Sequence, residues 1–222
     1  MKERLLKIYT QLFEHFGPQD WWPANSPFEV VVGAILTQNT RWENVELAIA
    51  ELRRRNALTP KGLEALSRSQ LEEAIRPAGF FRQKARRLHG LLDSLETRYG
   101  GELTQLLAPP LSRARQDLLA LEGVGPETAD AILLYAGGFP TFVVDAYTRR
   151  LFSRVGLLDA DAGYDETQAL FMQHLPSETT FFNEYHALIV EQCKRYCLKR
   201  KPQCAECPLV NFCSGEDVNQ GG

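Results

Sequence analysis

A chain of 222 residues with 44% hydrophobic content is long enough to bury a sizeable core, and two lobes are expected rather than one large domain. Its formal charge of −3 and pI near 5.9 exclude a uniformly basic nucleic-acid binder, so any contact with a polyanion has to come from local clusters. Of five cysteines, four crowd into residues 197–213, which speaks against a spread disulfide framework and for a metal site.

The first stretch, MKERLLKIYTQLFEHFG, threads charges through its apolar positions and so lacks the unbroken apolar core of a signal peptide, and no run elsewhere reaches membrane-spanning length. A soluble, cytoplasmic monomer with no membrane partner is expected. The adjacent Trp21, Trp22 and Pro23 come next; tryptophans at such a point commonly pack between lobes, and they are also stacking surfaces for a flat ligand. Residues 28–36, FEVVVGAIL, are too brief to type by period and are read as a buried helix from their surroundings, followed by the polar turn LTQNT that contains Gln38. Arg53, Arg54 and Arg55 read as a solvated helix face. Ser69 and Glu72 have capping-box spacing ahead of LEEAIRP, and Pro77 should end that helix. A long amphipathic helix is expected over 82–99, from Leu88, Leu91, Leu92, Leu95 and Tyr99, with Gly100 and Gly101 as the stop; its first turns hold the basic stretch RQKARR. Lys84, within that stretch, would face a phosphate backbone or water.

Further helices are expected at 112–120, 126–136, 146–156, 165–175 and 179–196. TFVV at 141–144 is the one strand-like piece and has no partner of its kind, so the fold class is all-α, without internal repeats or a low-complexity linker. The tail SGEDVNQGG is expected to fray. Between two of the helices stands LEGVGPETAD: Gly123 and Gly125 permit backbone angles closed to other residues, and Pro126 suits the first position of the helix that follows. Such a turn presents free amides at a helix N-terminus, a ready phosphate site, or is simply a tight helix connection. Asp145 is well placed to cap the helix at 146. At the C-terminus Cys197, Cys204, Cys207 and Cys213 follow a C-x6-C-x2-C-x5-C pattern that suits either a [4Fe–4S] cluster or a structural zinc, while Cys193 lies outside it. The basic run KRYCLKRK overlaps the first of these cysteines.

Helix, L-x-G-V-G hairpin and helix, then the loop with Gly137, Gly138 and Pro140 and an aspartate about twenty residues past the hairpin, together resemble the helix–hairpin–helix/Gly-Pro/Asp superfamily of base-excision DNA glycosylases. The cysteine spacing resembles its endonuclease III branch. WWP, LTQNT, RPAGFFRQKARRL and GVGPETADAILLYA resemble its 3-methyladenine glycosylase members, from residue 21 to about 155. The resemblance implies a two-lobe fold: a six-helix barrel domain over 28–135, and a discontinuous helical domain from 1–27 and 136–222 carrying a [4Fe–4S] cluster on the loop 197–213. It implies that double-stranded DNA with a damaged base is the partner, that Asp145 promotes base departure, and that Gly123, Gly125, Gln38, Lys84, Lys199, Arg200 and Lys201 meet DNA, Gln38 as the wedge that fills the vacated stack. In bifunctional members a lysine in the helix after the hairpin attacks the sugar C1′; aligned on GVG, that position holds Glu127, and a carboxylate cannot form an imine. Glu127 is equally a first-turn acid favoured by the helix dipole.

The expected function is therefore a monofunctional DNA N-glycosylase without lyase activity, removing alkylated purines such as 3-methyladenine, with Trp21, Trp22, Pro23 and Glu127 lining the base pocket. N3-alkylated adenine is cationic and has a weakened glycosidic bond, so electron-rich stacking partners and a nearby carboxylate suit it. The rival readings are an endonuclease III-like glycosylase for oxidised pyrimidines or mismatched thymine or uracil, and a non-catalytic damaged-DNA-binding protein.

Overall fold

The computed structural model describes residues 1–213; the expectation for the tail falls on 214–222, outside the described residues. The described residues form twelve α-helices and short 3-10 turns, with no strand among them. The chain divides into two compact units, Trp22–Phe139 and a discontinuous one made of Met1–Trp21 and the residues from Pro140 onward. The divisions fall at 21/22 and 139/140, where the sequence placed them at 27/28 and 135/136. No helix is long and apolar enough to cross a membrane.

The continuous unit holds α2 (Pro27–Leu36), α3 (Trp42–Arg54), α4 (Pro60–Glu64), α5 (Arg68–Ala74), α6 (Phe81–Tyr99), α7 (Leu103–Leu106), α8 (Leu111–Leu119) and α9 (Pro126–Tyr135). Helix α2 is buried along nearly its whole length and packs against α3, α6 and α9. Its start is set by Ser26, whose hydroxyl accepts from Glu29 N, and by Pro27 in the first helical position. Glu29 is itself buried and is neutralised by Arg53 of α3, so the basic cluster at 53–55 is spent internally: Arg54 and Arg55 both pair with Glu51.

The capping box lies two residues earlier than expected. Ser67, not Ser69, is the N-cap of α5, accepting from Gln70 N at 3.3 Å while Gln70 Oε1 accepts from Ser67 N at 2.8 Å. Both frames carry the S-x-x-E/Q signature; this one sets Leu66 before the cap and Leu71 in the first turn, both packed on the core, and leaves Glu72 to pair with Arg68. Helix α5 ends at Ala74, and Pro77 sits in a 3-10 turn. Helix α6 buries Leu88, Leu91, Leu92, Leu95 and Tyr99 as the period predicts and stops at Gly100 in the left-handed region.

The discontinuous unit holds α1 (Lys2–Phe16), α10 (Ala146–Arg154), α11 (Tyr164–His174) and α12 (Thr179–Arg195). Helix α1 buries Leu5, Ile8 and Leu12 and packs on α12, where the Tyr185 hydroxyl donates to Leu5 O at 2.8 Å. The strand-like residues 141–144 form no ladder. Their backbone is satisfied by side chains instead: Gln168 Nε2 donates to Phe142 O at 2.7 Å, and Val144 N donates to the Tyr164 hydroxyl at 3.5 Å. Phe142 stacks flat on Phe171, with ring centroids 3.8 Å apart, which anchors the segment leading into Asp145.

Candidate functional site

In the continuous unit the candidate site is the hairpin between α8 and α9. Gly123 has φ 76°, a conformation glycine adopts without strain, and a Cβ built there would lie 2.1 Å from Arg87 Nε. The left-handed backbone calls for glycine there, and any Cβ would also have to push the Arg87 side chain aside. Gly125 differs. It is extended, at φ −93°, and a Cβ would meet nothing within 4 Å, so nothing inside the protein demands glycine there. It is exposed at the N-terminal end of α9, with Pro126 in the first helical position, and Val124 between the glycines is buried. The two helices are clamped by a pair the sequence reading missed: Arg115 of α8 donates from Nε and Nη2 to the two oxygens of the fully buried Asp130 of α9, at 2.8 and 3.1 Å. What faces outward is therefore a rigid, glycine-lined helix end.

Gln38 belongs to this turn. Its Nε2 donates to Gly123 O at 3.0 Å and to Thr128 Oγ1 at 2.9 Å, and Arg87 Nη1 donates to its Oε1. Glu127 is exposed in the first turn of α9, where the dipole favours an acid. Trp22 lies across Gly33 of α2, where a Cβ would stand 3.0 Å from Trp22 Cζ2, with Trp42 edge-on at 5.1 Å and Tyr135 at 5.3 Å between ring centroids. Pro23 is exposed, and Trp21 lies in the other unit and is half-buried.

Lys84 corrects the sequence reading. It faces neither phosphate nor water: it is 1% exposed, and its ammonium donates to Leu36 O at 2.7 Å and Ala78 O at 2.8 Å. Burial, and then the charge of Arg87, pushes its pKa down to about 8. One helical turn inside a basic stretch was enough to turn this side chain inward while Arg82 and Arg86 stayed out, the latter paired with Glu122 at 2.8 Å.

In the discontinuous unit Asp145 caps α10. Its Oδ1 accepts from Thr148 N at 2.7 Å and Thr148 Oγ1 at 2.9 Å, and its Oδ2 stands 3.6 Å from Nε2 of His186 on α12. Burial by itself would raise this carboxyl, but His186 and the two Thr148 donors outweigh it and hold Asp145 below its ordinary value. The arrangement is a carboxylate kept ionised and fixed in one rotamer, able to stabilise developing positive charge or accept a proton. His186 gave no sign in the sequence, since it lies within a helical apolar run that reads as core.

None of the five cysteines is in a disulfide. Cys207 Sγ accepts from Gln192 Nε2 at 3.0 Å and Cys197 Sγ from Arg154 Nη1 at 3.2 Å. Cys197 is held toward the thiolate, first by Cys193 and then by Arg154, while Cys193 stays a protonated thiol. Among the described residues no three His, Cys, Asp or Glu side chains converge into a metal-holding group. The donor set itself fits a soft metal centre: four thiols on one short loop, each of Cys197, Cys204 and Cys207 acting electrostatically on Cys213, and N–H donors aimed at two sulfurs. Lys199, Arg200 and Lys201 are exposed on the span between the first two cysteines.

Residues 32–177 match the model of the HhH-GPD superfamily of base excision DNA repair proteins. The chain is 46% identical over 213 residues to a Methanocaldococcus jannaschii protein provisionally named as a DNA repair glycosylase, covering 95% of this chain and 96% of that one. It is similar in structure to endonuclease III in a non-covalent DNA complex, with a TM-score of 0.82 and 26% identity over 96% of this chain and 95% of that one. It is also similar to the H. pylori 3-methyladenine DNA glycosylase bound to 1,N6-ethenoadenine, with a TM-score of 0.74 and 28% identity over 87% of this chain and 96% of that one.

Proposed function

Because the chain belongs to the HhH-GPD superfamily of base excision DNA repair proteins, as a DNA repair glycosylase, we propose that it removes alkylated purines such as 3-methyladenine from duplex DNA and leaves the abasic site intact. The observation that carries the reading is Glu127, an exposed carboxylate in the first turn after the hairpin where a bifunctional enzyme of this type has its lysine. Without an amine there, water is the nucleophile. The C1′–N bond breaks with its electron pair passing to the cationic base, which leaves neutral. The positive charge left on the sugar is stabilised by the Asp145 carboxylate, water adds to C1′, and its proton passes to Asp145 or solvent.

Extruding the nucleotide costs about a few kcal/mol, and backbone contacts have to supply it. Gly125 and the amides at the start of α9 take a phosphate, with Gly123 shaping the turn. Lys199, Arg200 and Lys201 add charge that does not read sequence. Gln38 fills the vacated stack in this reading, which requires it to leave its two contacts to the hairpin and its one to Arg87 of α6. Trp21, Trp22, Pro23 and Glu127 serve the extruded base; for Trp22 this means sharing a ring already packed on Trp42 and Tyr135. Cys197, Cys204, Cys207 and Cys213 would hold a [4Fe–4S] cluster, whose contribution when bound is to fold the basic span.

The test is base release from methylated duplex DNA, separating 3-methyladenine from 7-methylguanine, with the strand examined before and after alkali. Release of 3-methyladenine with breaks only after alkali is expected. Strand breaks without alkali would overturn the loss of lyase chemistry. No release would overturn the alkylpurine reading and turn attention to the rival substrates, oxidised pyrimidines and mismatched thymine or uracil.

A further inference from the structure

We propose that His186 is a positioning residue for base excision, holding Asp145 Oδ2 in place and aimed while Oδ1 is consumed by the helix cap. The inference rests on the reading of Asp145 as the group that promotes base departure. Its geometry is independent of that reading. Two donors from Thr148 saturate Oδ1, at 2.7 and 2.9 Å, so the oxygen left for chemistry is Oδ2, and the group facing it is His186 Nε2 at 3.6 Å. That distance lies just outside hydrogen-bond reach, and a shift of a few tenths of an ångström brings the two groups within it.

The histidine is itself held. Its side chain is 9% exposed, it sits in the middle of α12, and it meets Phe142 edge-on at 6.5 Å. Phe142 is in turn stacked on Phe171, three residues before Asp145. Aspartate and histidine are thus placed by two elements packed on each other, α10 and α12, and by the loop that enters α10. A carboxylate this enclosed and facing only a cap would drift toward the neutral acid, which could neither stabilise a cationic sugar nor accept a proton.

Other titratable groups stand around the pair. On α12, Tyr185 is buried and kept neutral, and Cys193, which senses the Asp145 charge, is kept as the thiol. On α10, Arg150 directs its guanidinium to the carbonyls of Cys197 and Cys193. From α11, the Tyr164 hydroxyl accepts from Val144 N. None of these takes the place opposite Oδ2.

The experiment uses the full chain with His186→Leu and His186→Gln and reads two quantities. The first is the titration of the Asp145 carboxyl by carbon-13 NMR without DNA. The second is the pH profile of 3-methyladenine release in single turnover. In His186→Leu the Asp145 titration is expected to move up by about one unit, and excision to fall by roughly tenfold more at the acid end than at pH 8. His186→Gln, which keeps a donor of similar reach, should recover most of both. An unmoved Asp145 titration in both variants, or equal loss at every pH, overturns the proposal and leaves His186 as core packing. Should the leucine protein fail to fold, His186→Asn, whose shorter amide falls short of Oδ2, takes its place: an Asp145 titration raised above that of the glutamine protein supports the proposal, and an unmoved one overturns it. Absence of base release by the unaltered protein would overturn the functional reading, while the NMR titration would still decide the pairing.

Discussion

Replacing Lys84 by methionine separates an interior cation from a DNA-binding one. The side chain is 1% exposed and its stem is matched in length by methionine, so the change removes chiefly two charge-assisted hydrogen bonds, to Leu36 O and Ala78 O at 2.7 and 2.8 Å. Two buried carbonyls without donors cost about 1–3 kcal/mol each. Against this stands the penalty for burying the ammonium: its pKa falls from 10.5 to about 8, which at about 1.4 kcal/mol per unit is about 3.5 kcal/mol. The two largely offset, and the net change at pH 7 is expected to stay within about 2.5 kcal/mol, so the pH dependence and the salt slope carry the test. The pH dependence has a definite sign. Between about pH 8 and 10.5 the unfolded chain holds this proton and the folded one releases it, so the unaltered protein gains stability as pH rises through that window, a gain Lys84→Met lacks. Urea unfolding at pH 7 and pH 9.5, beside the salt dependence of binding to undamaged duplex, measures all of this. A phosphate-contacting lysine would instead leave stability intact and lower the salt slope by about one. That result would refute the interior assignment.

The two hairpin glycines should respond in opposite ways. Gly125→Ala meets open space at an ordinary φ and should fold within a few tenths of a kcal/mol of the parent while weakening duplex binding, read by fluorescence anisotropy. Gly123→Ala should lose about 1–2 kcal/mol from its left-handed backbone, and more from displacing Arg87, in thermal unfolding. Arg115→Met leaves a fully buried carboxylate without its bidentate partner and should cost about 3–5 kcal/mol by chemical denaturation. Trp21→Ala should weaken excision far more than binding to undamaged duplex; equal losses, measured side by side, would remove the stacking role.

The elements legible in the sequence are those whose signal is local. The period of α6, its glycine stop, the proline at the start of α9 and the aspartate cap of α10 each depend on residues within a turn of one another, and each appears within a residue or two of its expected place. Where two local signals compete, the sequence does not choose: Ser67 and Ser69 both begin a capping box, and the core contacts of Leu66 and Leu71 decide between them. Lys84 failed for a related reason. Its neighbours made a surface of the stretch 82–87, but a helix face is assigned by residue, not by stretch, and the two carbonyls that draw the ammonium inward come from Leu36 and Ala78. His186 and the Arg115–Asp130 clamp were invisible because their meaning lies in pairings across 41 and 15 residues.

The two glycine positions show how structure sorts a motif that sequence presents as a unit. In the pattern G-V-G both glycines look alike, and a close helix connection would account for either. Gly123 is explained by the chain itself: its φ lies in the left-handed region, and the Arg87 guanidinium occupies the place a Cβ would take. Gly125 is explained by nothing in the chain, because its backbone is ordinary and the space before it is open. A glycine without an internal reason, exposed at the N-terminal end of α9, fits the proposed phosphate contact, in which a backbone oxygen would crowd a Cβ. The same logic divides the acids of the discontinuous and continuous units. Asp130 is consumed by Arg115, whereas Asp145 spends one oxygen on its cap and keeps the other turned toward a histidine, the arrangement of a carboxylate held for use.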